Sequence, residues 1–168
     1  MIDPEQLSRL FDRHAAALEL YVRQWTPEAA DIVQAAYVRL AEQKTVPRDP
    51  VAWLYRVARN LAVSRVRSEA ARRRREQAVG HETSRWFAQA PSPDVDIDEV
   101  IVALQRLPQD QREVVVLRIW GGRTYDEIAD ITGSPRTTVY RKYQSALREL
   151  RDMLESPCST NPTNSEPM

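Results

Sequence analysis

The sequence has few of the residues that disulfides, metal sites and catalytic triads require. It contains one cysteine, Cys158, and two histidines, His14 and His81. A single cysteine excludes an internal disulfide and a zinc site built from cysteines, and two histidines without partners cannot support a nucleophilic triad. A glycine-rich phosphate-binding loop is also missing. We therefore expect a protein that is not an enzyme and that holds no metal and no cofactor.

Glycine and long apolar runs are also scarce. Only four glycines occur, and alternating runs of β-branched residues are few, which favours a largely helical protein. No apolar run approaches the roughly 20 residues that span a bilayer. The start, MIDPEQLSRLF, lacks the basic and apolar blocks of a signal peptide. We expect a cytoplasmic all-α protein with no membrane insertion.

Charge is balanced overall but unevenly distributed along the chain. Residues 51–80 carry eight arginines against two glutamates, a net charge of +6, and residues 111–151 carry eight basic against five acidic groups, a net charge of +3. The segment between them, 81–110, is acidic. Two basic blocks separated by an acidic one indicate nucleic-acid contact better than a total charge of zero does.

Helical periodicity divides the chain into two small helical domains. Apolar residues recur at helical spacing through three helices in residues 1–76 and again through residues 97–155. Between them, residues 77–96 mix proline, serine and acids and are predicted to form a flexible linker. Residues 156–168 have few apolar side chains and are predicted to be a disordered tail.

The stretch TYDEIADITGSPRTTVYRKYQSALREL predicts a helix-turn-helix. A short helix from Tyr125 is followed by a break around Gly133, and Pro135 suits the first turn of a longer helix. On a helical wheel, Val139 lies on the packing side and Arg141 on the opposite side. Arginine and glutamine pair with base edges in a major groove. A solvated polar face on an ordinary helical hairpin is the alternative. The predicted duplex-binding residues are Arg136, Thr137, Thr138, Tyr140, Arg141, Gln144 and Arg148.

A second nucleic-acid face is predicted on the helix from about Val51 to Arg75. Trp53, Arg56, Asn60 and Arg67 cluster beside its apolar seam, and Arg59 adds charge nearby. Aromatic rings and guanidinium planes stack on unpaired bases, and asparagine can hydrogen-bond a base edge. The alternative is that Trp53 is a core residue and that the arginines are merely solvated.

Three stretches in this order resemble bacterial RNA polymerase sigma factors of the extracytoplasmic-function (ECF) class. AADIVQAAYVRL (29–40) is similar to the family pattern AEDLVQEVFLRL, and WLYRVARNLAVSRVR (53–67) is similar to WLYRIARNLAIDRLR. Residues 104–151 resemble the family's region 4 throughout. Ser64 stands where aspartate is usual in the family, and Thr137 stands where glycine is common. The promoter sequence that this chain prefers therefore cannot be taken over from other members of the family.

The resemblance implies a function and partners for each domain. Asp31, Val33 and Gln34 would dock on the β′ clamp helices of core RNA polymerase, and region 4 would contact the β flap. The face around Trp53, with Arg56, Arg59, Asn60 and Arg67, would recognise and melt the minus-ten element of promoter DNA. The second helix of the helix-turn-helix would recognise the minus-thirty-five element. An anti-sigma factor is a further candidate partner.

Two other functions are compatible with parts of the sequence. A stand-alone helix-turn-helix regulator would use residues 1–75 for dimerisation or sensing, but it would not need the face around Trp53. A protein that only binds other proteins would not need the outward Arg141, Gln144 and Arg148. The sigma-factor interpretation accounts for both features.

Overall fold

The computed structural model describes residues 2–76 and 97–155, which form seven α-helices and, within these ranges, no strand. The predicted all-α fold is confirmed. The predicted linker and tail lie outside the described residues. The helices are α1 Pro4–Val22, α2 Ala29–Ala41, α3 Pro50–Glu76, α4 Ile97–Arg106, α5 Gln109–Ile119, α6 Tyr125–Thr132 and α7 Arg136–Glu155.

Helices α1–α3, here called the N-terminal bundle, pack around buried apolar and aromatic residues. Asp49 starts α3: its Oδ1 accepts hydrogen bonds from the backbone N–H groups of Val51 and Ala52, both at 3.0 Å, and Pro50 follows at the first helical position. These contacts fix where α3 begins, and the spacing of its apolar residues determines which face is buried. Leu54, Tyr55, Ala58 and Ala62 point inward.

Helices α4–α7, here called the C-terminal unit, contain the helix-turn-helix. Thr124 and Glu127 form a reciprocal capping box at the start of α6, with the Thr124 N–H donating to Glu127 at 2.6 Å. Gly133 ends α6 in the left-handed region, φ 67°, where other residues are strained. The predicted packing of α7 on α6 is confirmed for Val139, which is buried in one cluster with Ile128 and Ile131. Ala146, which was expected to pack on the same residues, packs on α4 and α5 instead.

The N-terminal bundle and the C-terminal unit pack against each other, an arrangement that the sequence did not predict. One cluster of buried residues includes Leu18, Tyr21 and Leu54 from the bundle together with Leu117 and Ile128 from the C-terminal unit. A second, smaller cluster around Leu107 and Val115 lies within the C-terminal unit. Burial of apolar surface across this contact favours a closed arrangement of the two. Among the described helices, none has the length and apolar character needed to cross a membrane.

Candidate nucleic-acid and polymerase interfaces

The outer face of α7 carries polar and basic side chains in solvent. Thr137, Tyr140, Arg141 and Arg148 are exposed, and Thr138 and Gln144 are half-buried. Val139 and Ala146, on the opposite side, are fully buried. One helix therefore combines an apolar side that attaches it to the protein with a hydrogen-bonding side that faces away from it.

Contacts from α6 hold two members of this outer face in place. The Arg136 Nε lies 3.1 Å from Asp126 Oδ1, an ion pair between exposed side chains. The Tyr140 ring meets Tyr125 edge to face, with centroids 5.5 Å apart. An exposed ion pair contributes little to stability and is easily exchanged. Arg136 can therefore exchange the carboxylate of Asp126 for a phosphate. The Tyr140 ring, by contrast, is held in one position by its packing on Tyr125.

The face of α3 is also accessible to a ligand. Arg56, Asn60 and Arg67 are exposed, and Trp53 is half-buried against the core. Trp53 is therefore partly a core residue, as the alternative interpretation held, but its ring is not enclosed. Because the Trp53 ring already packs against the core on one side, it loses little conformational entropy when a base stacks on its exposed side.

Arg59 occupies a different environment from the rest of the α3 set. Its Nε donates to Glu113 Oε1 of α5 at 2.7 Å, and the Tyr21 hydroxyl of α1 donates to the same oxygen at 2.7 Å. Glu113 is 5% exposed and Tyr21 is fully buried. The structure thus pairs a predicted DNA-binding arginine with a carboxylate of the C-terminal unit.

The electrostatics of this network follow from burial and from the shared carboxylate. Burial, reinforced by the charge of Glu113, raises the pKa of Tyr21 well above its ordinary value, so its hydroxyl stays a donor. Burial alone would lower the pKa of Arg59, but the hydrogen bond and charge of Glu113 raise it above the ordinary value. Both groups therefore keep the protonated form that Glu113 requires.

The predicted polymerase-docking residues on α2 are not all on one surface. Asp31 and Gln34 are exposed, but Val33 is only 3% exposed and belongs to the core. The assignment of Val33 to a docking surface needs correction, because its position on the helix turns it toward the bundle interior. Val38, one further turn along the exposed side, is 56% exposed. The exposed face of α2 therefore comprises Asp31, Gln34 and Val38.

Glu113 and Val38 belong to the contacts and faces described above, although neither was predicted from the sequence as a site residue. Glu113 lies three and four positions before Val116 and Leu117, which are buried on the same side of α5. An acid on an apolar helix stripe is a signal for a buried charge partner, since an unpaired buried carboxylate is costly. Its partners are 92 and 54 residues away, and periodicity could not identify them.

Within residues 2–76 and 97–155, no group of three or more histidine, cysteine, aspartate or glutamate side chains could hold a metal ion. The groups that the structure does bring together are basic, aromatic and amide side chains on exposed helix faces. These suit the binding of nucleic acid rather than a chemical reaction.

Family models match both halves of the chain. Residues 10–72 match the model described as "Sigma-70 region 2", and residues 97–150 match "Sigma-70, region 4". The first match contains α2 and most of α3, and the second contains the helix-turn-helix. The faces described above therefore fall one in each matched region.

Individual relatives agree with these models. The chain is 30% identical to the ECF RNA polymerase sigma factor SigL of Mycobacterium tuberculosis over 158 residues, 87% of each chain. It is 27% identical to SigW of Bacillus subtilis over 144 residues, 75% of this chain and 77% of that one. With SigK of Mycobacterium ulcerans it shares 32% identity over 111 residues, 64% of this chain and 59% of the relative.

Solved structures show the same fold. The sigma factor RpoE of Bartonella quintana, solved with the anti-sigma factor NepR, superposes with a TM-score of 0.73 at 21% identity, covering 92% of this chain and 99% of that one. CnrH, solved with the cytosolic domain of CnrY, gives 0.59 at 23% identity, covering 92% and 91%. With both sigma regions matched and SigL aligned along most of its length, the chain belongs to the ECF RNA polymerase sigma factors, non-enzymatic proteins that direct RNA polymerase to promoters.

Proposed function

We propose that this chain binds core RNA polymerase and selects promoters through two DNA contacts of different kinds. Helix α7 recognises the minus-thirty-five element as duplex, and α3 captures the minus-ten element as separated strands. The observation that carries the proposal is the pair of solvent-facing helix faces, one polar and basic on α7 and one around a half-open Trp53 on α3.

For the minus-thirty-five contact, α7 lies in the major groove with its outer face toward the bases. Arg141 and Gln144 have the side chains for paired hydrogen bonds to guanine and adenine edges. Arg136 and Arg148, near the two ends of this face, contact phosphates together with Thr137 and Thr138. Tyr140 packs against the sugar–phosphate backbone or a thymine methyl group. Phosphate contacts thereby set the position of the duplex, and base contacts determine which sequence is bound.

For the minus-ten contact, α3 stabilises bases that have left the duplex. Trp53 stacks on an unpaired base, Asn60 hydrogen-bonds an exposed edge, and Arg56, Arg59 and Arg67 contact phosphates. Taking a base out of its stack costs a few kcal/mol, and aromatic stacking returns about 1–3 kcal/mol per base. Because captured bases favour the open form, melting requires no nucleotide hydrolysis by this chain.

Partner contacts use surfaces other than these two. The exposed face of α2, comprising Asp31, Gln34 and Val38, docks on the β′ clamp helices, and the C-terminal unit contacts the β flap. Residues 77–96 connect the two DNA contacts, so that binding of one raises the effective concentration of the other at the promoter. An anti-sigma factor is a further proposed partner, since RpoE was solved with the anti-sigma factor NepR.

The test is run-off transcription by purified core polymerase on a pool of genomic fragments from the source organism. Transcripts should appear from a defined set of fragments only when this chain is added. An Asp31→Ala/Gln34→Ala double variant should lose transcription and lose binding to an isolated β′ clamp fragment. Tight duplex binding by the chain alone, with no affinity for that fragment and no transcript, would show a stand-alone regulator instead.

A further inference from the structure

Tyr125 is the first residue of α6, and its ring lies in a small aromatic cluster beside the outer face of α7. It meets Tyr140 edge to face with the centroids 5.5 Å apart, and it meets Tyr143 in the same manner at 5.8 Å. The guanidinium of Arg118 lies over the Tyr125 ring, 4.9 Å from its centroid. Three side chains from α5 and α7 therefore contact one ring at the start of α6.

The surroundings of Tyr125 hold its backbone as well as its ring. Thr124, directly before it, is the N-cap of α6: its hydroxyl accepts from the N–H of Glu127, and its own N–H donates to the Glu127 carboxylate. Arg118 is fixed in turn, because its Nη1 donates to a backbone carbonyl oxygen of the loop after α5 at 2.9 Å. Tyr125 is therefore a fixed support against which the Tyr140 ring rests.

Tyr140 is the member of this cluster that faces solvent. It is 51% exposed, whereas Tyr125 and Tyr143 are half-buried. It lies four residues after Arg136 and four before Gln144, so these three side chains follow one another along the outer face of α7. It also lies in the N-terminal half of α7, the part of a recognition helix that contacts base edges. The Tyr140 ring therefore occupies a place among the proposed base contacts, with its orientation set from α6.

The chemistry of a fixed phenol ring favours one group in the major groove. Thymine alone among the four bases presents a methyl group there, and apolar side chains recognise thymine by contact with it. A ring that is already held in position loses little conformational entropy in such a contact. Phosphate suits Arg136 better, because a guanidinium is charged and its exposed ion pair with Asp126 is easily exchanged. Tyr140 is therefore placed to contact a thymine methyl group rather than a phosphate.

We propose that Tyr140 recognises the 5-methyl group of one thymine in the minus-thirty-five duplex, and that Tyr125, held by Arg118, is the positioning residue for the Tyr140 ring. This rests on the proposed function of α7 and adds to it a base and a residue of α6. Burial of one methyl group is worth about fourfold in affinity, the equivalent of about 0.8 kcal/mol. Tyr125 acts through Tyr140, so its substitution should reduce the discrimination for thymine.

The first experiment identifies the bound sequence without assuming a promoter. Random-sequence duplexes are bound to the full-length chain, alone and assembled with core polymerase, and the enriched sequences are aligned. The parent site should contain a thymine whose enrichment is lost in Tyr140→Ala and kept in Asp130→Ala, a control at an exposed position of α6. An enriched site without such a thymine would overturn this inference and leave the proposed duplex contact standing. A library with no enriched sequence would overturn both.

The second experiment removes the methyl group and leaves base pairing unchanged. Deoxyuridine replaces thymine at one position at a time in the selected duplex, which keeps the O4 acceptor and deletes the 5-methyl group. The parent should bind about fourfold more weakly after one of these replacements. Tyr140→Ala should bind the thymine and deoxyuridine duplexes equally at that position. Equal binding by the parent at every position, or full discrimination by Tyr140→Ala, would overturn the methyl contact.

The ratio of the two affinities also tests the role of Tyr125. Tyr125→Leu should lower the ratio toward one, because the support for the Tyr140 ring is lost, and Tyr125→Phe should keep it, because a ring remains. A residue with only a structural role would weaken binding to both duplexes alike, and an unchanged ratio in Tyr125→Leu would overturn the positioning role. If Tyr125→Leu lacks native helicity, Arg118→Met, which removes the cation over the ring, should lower the ratio in the same direction, and no change there would overturn that role instead.

Discussion

The two proposed DNA-binding helices differ in how ready they are for a ligand. On α7, Thr137, Arg141 and Arg148 of the outer face are exposed, and Gln144 is half-buried. Arg136 and Tyr140 of the same face contact α6. On α3, Trp53 is braced on the core and Arg59 is bound to Glu113 of the other half. The proposed duplex-binding face of α7 is therefore largely accessible, whereas one arginine of the proposed strand-binding face of α3 is engaged by the other half of the chain.

The largest effect is expected from weakening the core that the two halves share. Ile128 is fully buried in that cluster. Ile128→Ala should lower the free energy of unfolding by about 2–5 kcal/mol, because it leaves a cavity. Urea denaturation followed by far-ultraviolet circular dichroism should give one transition that moves as a whole. Ile119→Ala is the control, since Ile119 is 51% exposed and should change stability by about 0.5 kcal/mol or less. Two separate transitions would mean that the halves have independent cores.

Loss of a base contact on α7 comes next. Arg141→Ala should weaken binding to the cognate minus-thirty-five duplex by about 1–3 kcal/mol and relax sequence preference at one position. Competition binding against single-base variants of the duplex measures both effects. Lys142→Ala is the control on the same helix, because Lys142 lies away from the outer face and pairs with Asp110 of α5 at 3.1 Å. Equal weakening on every sequence would instead make Arg141 a phosphate contact.

Substitution of Trp53 on α3 is expected to reduce the capture of separated strands without affecting duplex binding. Trp53→Ala should leave binding to the minus-thirty-five duplex unchanged and should reduce open-complex formation by about 1–3 kcal/mol, the value of one stacked base. Permanganate reactivity of promoter thymines reports the opening. Trp53→Phe should retain part of it, because a ring remains, and native helicity in both variants excludes a folding defect. Full reactivity with Trp53→Ala would refute the stacking role.

The smallest effect concerns pH and also reports on the contact between the halves. Burial, with the nearby charges of Arg123 and Arg13, lowers the pKa of His14 on α1 below 6.5. Because the unfolded chain then binds a proton more readily than the folded one, stability should fall as the pH drops through 6.5. Urea denaturation at several pH values should show this loss in the parent and less of it in His14→Gln. An imidazole titration at or above 6.5 would contradict the prediction.

Local features were predictable from the sequence, whereas contacts between distant residues were not. The faces of α7 follow from residue spacing, which is why the burial of Val139 and the exposure of Arg141 were predicted correctly. Val33 was assigned to a docking surface only by the family resemblance, although helical spacing places it on the apolar stripe of α2, where the structure buries it. Arg59 and Glu113 were never connected, because no local pattern encodes a pair 54 residues apart. The residue roles inferred from the resemblance stay predictions until the variants above are measured.

The division of α7 into two sides has a consequence for how such proteins diversify. Under the proposed function, substitutions at Thr137, Arg141 or Gln144 would change which bases are preferred, and they would leave the buried Val139 and Ala146 unchanged. Surface changes of this kind usually alter stability by about 0.5 kcal/mol or less. After gene duplication, a copy could therefore acquire new target genes through a few outward mutations, without first passing through an unstable intermediate.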